Sequence, residues 1–117
     1  MIEYRIEKIK PFGDDREVKS FQITPSYESL SIIQALTDVD DLDYFIEWLK
    51  DLLDKDVADF SEGGALIYVH FQWGSHKSRI VDLNKDGSIN VRLEFYTADL
   101  LQLCEAWRKF LVENPRS

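Results

Sequence analysis

One cysteine, one methionine, two histidines and three prolines are all that 117 residues hold of those types, and each scarcity removes a class of protein. The lone Cys104 has no partner for an internal disulfide, so the chain is not a disulfide-stapled scaffold and a reducing compartment is expected. His70 and His76 lack a third ligand at fixed spacing and make no zinc motif. No run approaches the roughly 18 apolar residues of a membrane span. G-x-S-x-G, the P-loop and G-x-G-x-x-G are all missing, so no motif announces an enzyme or a cofactor. Repeats, linkers and low-complexity tracts are absent as well. Bases are outnumbered, 14 against 22 acids for a net charge of −8, and they form no stripe. Such a surface repels phosphate, and direct nucleic-acid binding is not expected. Met1 is followed by a charged, strand-like segment rather than a basic region and an apolar run, which predicts no signal peptide and a cytoplasmic location.

What the chain does have is a globular composition. It is 44% hydrophobic and 13% aromatic, whereas disordered acidic chains are poor in aromatics. Its length suits one domain, residues 1–117, with one real core.

Residues 2–9 alternate, with Ile2, Tyr4 and Ile6 on one side and charges on the other, as a half-buried strand does. Residues 11–15, PFGDD, read as a turn, and residues 17–24 as a second strand paired with the first. Leu30, Ile33 and Leu36 then stand at helical spacing. Residues 64–73, GALIYVHFQW, are apolar at nearly every position and read as one central strand covered on both faces. Two further strands, 77–83 and 88–95, flank NKDG, a hairpin signal because Asp-Gly adopts positive φ readily. Thr97 is the expected N-cap of a last helix whose buried arc is Leu100, Leu103, Cys104, Trp107, Phe110 and Leu111, with Arg108 and Lys109 near its end. Asn114-Pro115 closes it. The predicted fold is α+β: an antiparallel sheet of about five strands with two to three helices against it, in the order β-β-α-α-β-β-β-α.

The charge is unevenly placed. Residues 38–62 hold ten acids and two lysines, while the other 92 residues carry twelve of each sign, so the whole net charge resides in this stretch. Leu42, Phe45, Ile46, Leu49, Leu52 and Leu53 share one arc of a helix expected over residues 39–55, with Asp38 or Asp40 as N-cap. Asp40, Asp43, Glu47, Asp51 and Asp54 share the opposite face. Like charges one turn apart cost a helix roughly 0.2–0.5 kcal/mol per pair, and only Lys50 and Lys55 relieve them. Tyr44 and Trp48 lie at the edge of this face, rigid aromatics beside carboxylates of the sort that anchor interfaces. The plain alternative is a solvated helix face with a half-buried tryptophan.

Other constellations are weaker. Asp82-Leu-Asn-Lys-Asp-Gly-Ser-Ile-Asn90 follows the first nine positions of an EF-hand loop, but the position of the bidentate carboxylate is Leu93, and the flanks alternate as strands do. A hairpin turn accounts for the same letters, and no metal is expected. His70, Trp73, His76 and Arg79 cluster near one sheet end, where a ligand pocket is conceivable. Cys104 borders a buried helix face, as an inert thiol does.

A small acidic domain without catalytic groups, carrying one acidic, aromatic-edged helix, resembles the small bacterial immunity proteins of contact-dependent and other polymorphic toxin systems. That resemblance is one of physical character over the whole chain. It implies a partner, a basic nuclease toxin, whose active cleft is blocked: Asp40, Asp43, Glu47, Asp51 and Asp54 replace substrate phosphates, while Tyr44 and Trp48 anchor. No cofactor and no catalytic residue are expected. A regulatory or adaptor subunit using the same helix, or a sheet edge by strand addition, is the alternative. A small-ligand-binding protein or enzyme built around His76 is the third.

Overall fold

A computed structural model describes residues 2–9 and 18–114; the turn expected over residues 11–15 lies outside them. The chain runs β1 (Tyr4–Ile9), β2 (Val18–Ile23), a 3₁₀ segment (Pro25–Ala35), α1 (Val39–Asp54), β3 (Glu62–Leu66), β4 (Val69–Trp73), β5 (Lys77–Leu83), β6 (Ile89–Tyr96) and α2 (Thr97–Glu113). This is an α+β fold with antiparallel sheets, as the alternation of periods two and 3.6 requires.

The strands make two sheets rather than one. β1 and β2 form an isolated antiparallel pair, and β3-β4-β5-β6 form a four-stranded meander with β3 and β6 at its edges. The core fills the space between the meander's inner face and the helices. Phe71, Trp73, Ile80 and Phe95 meet Leu42, Ile46, Leu49 and Leu52 of α1 and the whole expected arc of α2. Ile2 and the 3₁₀ residues Leu30 and Ile33 complete it. Leu42 and Leu49 are fully buried, each contributing about 1.5–3 kcal/mol through removal of apolar surface from water. Trp107, also fully buried, donates its indole N–H to the Leu36 carbonyl at 2.8 Å, which ties α2 to the end of the 3₁₀ segment.

The main departure from expectation is at residues 64–73. They do not form one central strand. Ile67 and Tyr68 take left-handed φ values of 51° and 65°, and the chain reverses there, pairing Leu66 with Val69, Gly64 with Phe71 and Glu62 with Trp73. Two residues of positive φ in succession make the tight turn whose twist matches a hairpin. The first three residues of the apolar run therefore belong to an edge strand, in which Glu62, Gly63, Gly64 and Ala65 are all exposed.

A second departure concerns Thr97. It starts α2 but does not cap it; Tyr96 is the N-cap residue and makes no side-chain cap bond. The Thr97 hydroxyl instead donates to the Gly74 carbonyl at 2.7 Å and lies 2.7 Å from Ser78 Oγ, which accepts the Gly74 N–H at 3.2 Å. Gly74 N–H, Ser78 hydroxyl, Thr97 hydroxyl and Gly74 carbonyl thus close a ring, with Ser78 and Thr97 fully buried. A side chain at position 74 would meet Asp59 Cα and the Lys77 carbonyl at 2.6 Å each, so only glycine fits. Its neighbour Ser75 closes the end of α1: its Oγ donates to the Leu52 carbonyl at 2.6 Å and accepts the Val57 N–H at 2.9 Å.

Candidate functional site

α1 begins as its sequence dictates. Asp38 is the N-cap, its Oδ1 accepting the N–H groups of Asp40 at 2.8 Å and Asp41 at 3.4 Å. Asp40 and Asp41 occupy the first turn, where the positive helix end favours carboxylates. Asp51 and Asp54 are placed the other way. They lie in the last turn, which contains no basic residue, and there the helix dipole disfavours negative charge by about 0.3–1 kcal/mol per group. Helix stability gives no reason for them.

Two carboxylates of the acidic face are paired within the chain. Asp43 turns toward α2 and forms a two-pronged pair with Arg108, whose Nε meets Oδ1 and whose second nitrogen is 3.3 Å from Oδ2. That hydrogen bond, with the charge beside it, holds the Asp43 carboxyl below its ordinary range and raises Arg108. Asp43 is therefore a helix–helix tie whose side chain stays partly open to solvent, and Arg108 serves α1 rather than its own helix end. Glu47 is 3.4 Å from Lys50 one turn on. Asp40, Asp51 and Asp54, with Asp41 on the far shoulder, are exposed and in no ion pair among the described residues, and Glu47 faces outward beside Lys50.

The aromatic edge stands where it was expected. Tyr44 is 79% exposed and Trp48 37%. Trp48 is held rather than loose: its ring stacks on Phe45 at 6.0 Å and meets Trp73 edge-on at 5.0 Å. Phe71 stacks on Trp73 at 4.5 Å from below. An aromatic column thus rises from the core to the surface and ends at Trp48. Buried aromatic contacts of this kind fix a side chain's rotamer before any partner arrives.

Between this edge and β3 lies a groove of about 380 Å³. α1 supplies Asp41, Tyr44, Phe45 and Trp48, while Gly63 to Leu66 form the facing wall and Trp73 the floor. Gly64 has no side chain to cover the floor, the Trp73 indole nitrogen standing 3.5 Å from where a Cβ would be. Beyond the groove, Tyr68 projects from the hairpin tip with 98% of its surface exposed. The β3 wall was hidden in the sequence because residues 64–73 resemble a buried strand; the Gly63-Gly64 pair, which strips side chains from two consecutive strand positions, is the signal for it.

The other candidates do not assemble. Trp73 points into the core and His70 away from it, while His76 sits in the turn against the Tyr96 ring at 5.2 Å and 3.9 Å from Asp59. Arg79 is engaged on the outer face, donating to Gln72 at 2.6 Å and stacking on Phe60 at 4.4 Å. In the β5–β6 hairpin Asp82 pairs with Arg92 and Asp86 accepts from the Ser88 N–H at 2.9 Å, with Gly87 at φ 87°. Those carboxylates serve the turn. Among the described residues no group of three or more His, Cys, Asp or Glu side chains is arranged to hold a metal ion. Burial pushes the Cys104 thiol up to about 12, which leaves it protonated at neutral pH. No helix among the described residues is long and apolar enough to cross a membrane.

Compared with protein-family models, with curated proteins and with solved structures, the chain matches none.

Proposed function

We propose that this chain is a protein-interaction module that binds a basic partner through α1 and neutralises it by covering its working cleft. The observation that carries the reading is the pairing of Trp48, preorganised by Phe45 and Trp73, with carboxylates at the one end of α1 where the helix itself disfavours them. Rigid aromatics flanked by charge concentrate binding energy, and complementary charge speeds encounter and selects the partner's sign. The partner class that fits is a nuclease toxin, whose phosphate-binding cleft offers Lys and Arg to Asp40, Asp51 and Asp54 in place of substrate. The cytoplasm, where the toxin would act and where Cys104 stays reduced, is the setting.

The test is affinity capture from the native cell's lysate on wild-type protein and on an Asp51→Lys/Asp54→Lys variant. The reading expects a basic protein that wild type retains, salt elutes and the variant loses, with nuclease activity that wild type inhibits. A partner held equally by both would move the interface off α1.

A further inference from the structure

The groove beside α1 is bounded on its other side by an open strand edge, and the two together define what can lie there. In an antiparallel ladder, residues alternate between pairs that exchange both main-chain hydrogen bonds and pairs that exchange none. The pair flanking a two-residue turn exchanges both, so Leu66, Gly64 and Glu62 bond to β4 through Val69, Phe71 and Trp73. The N–H and C=O of Gly63 and Ala65 then point away from the sheet. Among the described residues β3 has no neighbour on that side, and no hydrogen bond engages those groups. Natural sheets usually blunt such an edge with lysine, proline or a covering element. Here two glycines leave it bare.

We propose that this edge accepts an extended segment of the basic partner, which adds as a further strand to β3. The segment's inward side chains, apolar or aromatic, enter the groove against Trp48 and Trp73; its Lys and Arg meet the acidic rim. The inference rests on the reading of α1 as the partner surface. Charge selects the occupant: among the described residues Asp41 is the one charged residue of the groove wall, and Glu62, Asp40 and Asp51 are exposed around it. A second copy of this chain is disfavoured, because edge-to-edge pairing would bring two acidic α1 faces together in a protein of net charge −8. Main-chain bonds along the edge supply affinity and the groove reads alternate side chains, the two parts of strand addition.

The probe is a labelled peptide of alternating Lys and apolar residues, acetyl-Lys-Val-Lys-Trp-Lys-Val-Lys-amide, titrated by fluorescence anisotropy. Two further peptides carry N-methyl groups, one on its lysines and one on its apolar residues. In an added strand all main-chain N–H groups facing β3 belong to one of those two sets. One methylated peptide should therefore bind as the parent does and the other at least tenfold more weakly. Gly63→Pro, which removes an outward N–H and leaves the β3–β4 ladder whole, and Gly64→Leu, which fills the groove over Trp73, should each weaken the parent at least tenfold. If Asp51→Lys/Asp54→Lys weakens the peptide but both methylated forms and both glycine variants bind normally, the edge is wrong and the α1 reading stands. Absence of binding, or binding indifferent to all variants, overturns both. A dimer of the free protein that Gly63→Pro dissolves assigns the edge to a second copy and overturns the proposal. The methylated peptides need no altered protein, so a variant that fails to fold leaves the test intact.

Discussion

Replacing Ile67-Tyr68 by Asn-Gly should make the protein more stable. Both residues hold left-handed φ values, 51° and 65°, a conformation that costs an L-residue roughly 1–2 kcal/mol through Cβ–carbonyl crowding. Asn tolerates it better and Gly without steric penalty. Little packing opposes the exchange: Tyr68 is 98% exposed and Ile67 lies outside the apolar core. Two relieved residues, less about 0.5–1 kcal/mol for the chain entropy of the new glycine, leave a net gain of about 1–3 kcal/mol. For a domain of this size that is a rise in Tm of about 4 °C per kcal/mol. Urea unfolding measures it, and the midpoint should rise with the slope unchanged, since the surface exposed is the same. A midpoint that stays put or falls would mean that the turn is not where the reasoning puts it. The same variant should lose affinity for the partner if Tyr68 contributes to the surface beyond the groove.

Thr97→Val keeps the shape and removes the hydroxyl, breaking the ring with Ser78 and Gly74; the buried groups left unpaired should lower stability by about 1–3 kcal/mol in urea, and a neutral result would dismiss the ring. Asp43 sits below its ordinary pKa because Arg108 donates to it, so the pair's contribution is present above the unfolded Asp value near 3.9 and is lost as pH falls through the depressed folded value. Asp43→Asn should therefore lower stability at neutral pH and flatten the steepest acid limb; parallel acid-unfolding curves for variant and wild type would contradict the tie. Cys104, with its thiol pushed up to about 12, should resist disulfide reagents in native buffer at mildly alkaline pH and react once in denaturant. Rapid stoichiometric labelling of the folded protein would show an open path to it.

The helices were legible because their signal is periodic and redundant. In α2 every residue of the expected arc is buried, and in α1 Leu42, Ile46, Leu49 and Leu52 are. The edge strand was not, because Ile-Tyr is chemically wrong for its turn: β-branched and aromatic residues favour strands, and only three-dimensional pairing with Phe71 and Trp73 forces the reversal. Thr97 misled for a related reason. A threonine before an acidic first turn has the cap pattern, but its hydroxyl meets Gly74, a residue far away in sequence. At the candidate site, spacing alone placed Tyr44 and Trp48 on the surface. It could not place Asp43, whose partner Arg108 belongs to another helix, nor the groove, whose far wall is a strand that local sequence disguises.

The most direct measurement is hydroxyl-radical footprinting of the protein alone and with its captured partner. Tyr44, Trp48 and Tyr68 are exposed around the proposed surface, and Tyr4 and Tyr96, at 41% and 45% exposure, are built-in controls away from it. The account predicts that Tyr44 and Trp48 oxidise readily in the free protein and are shielded in the complex, while Tyr4 and Tyr96 oxidise equally in both. Shielding of Tyr96 or Tyr4 with Tyr44 and Trp48 unchanged would place the partner elsewhere and end the case for α1.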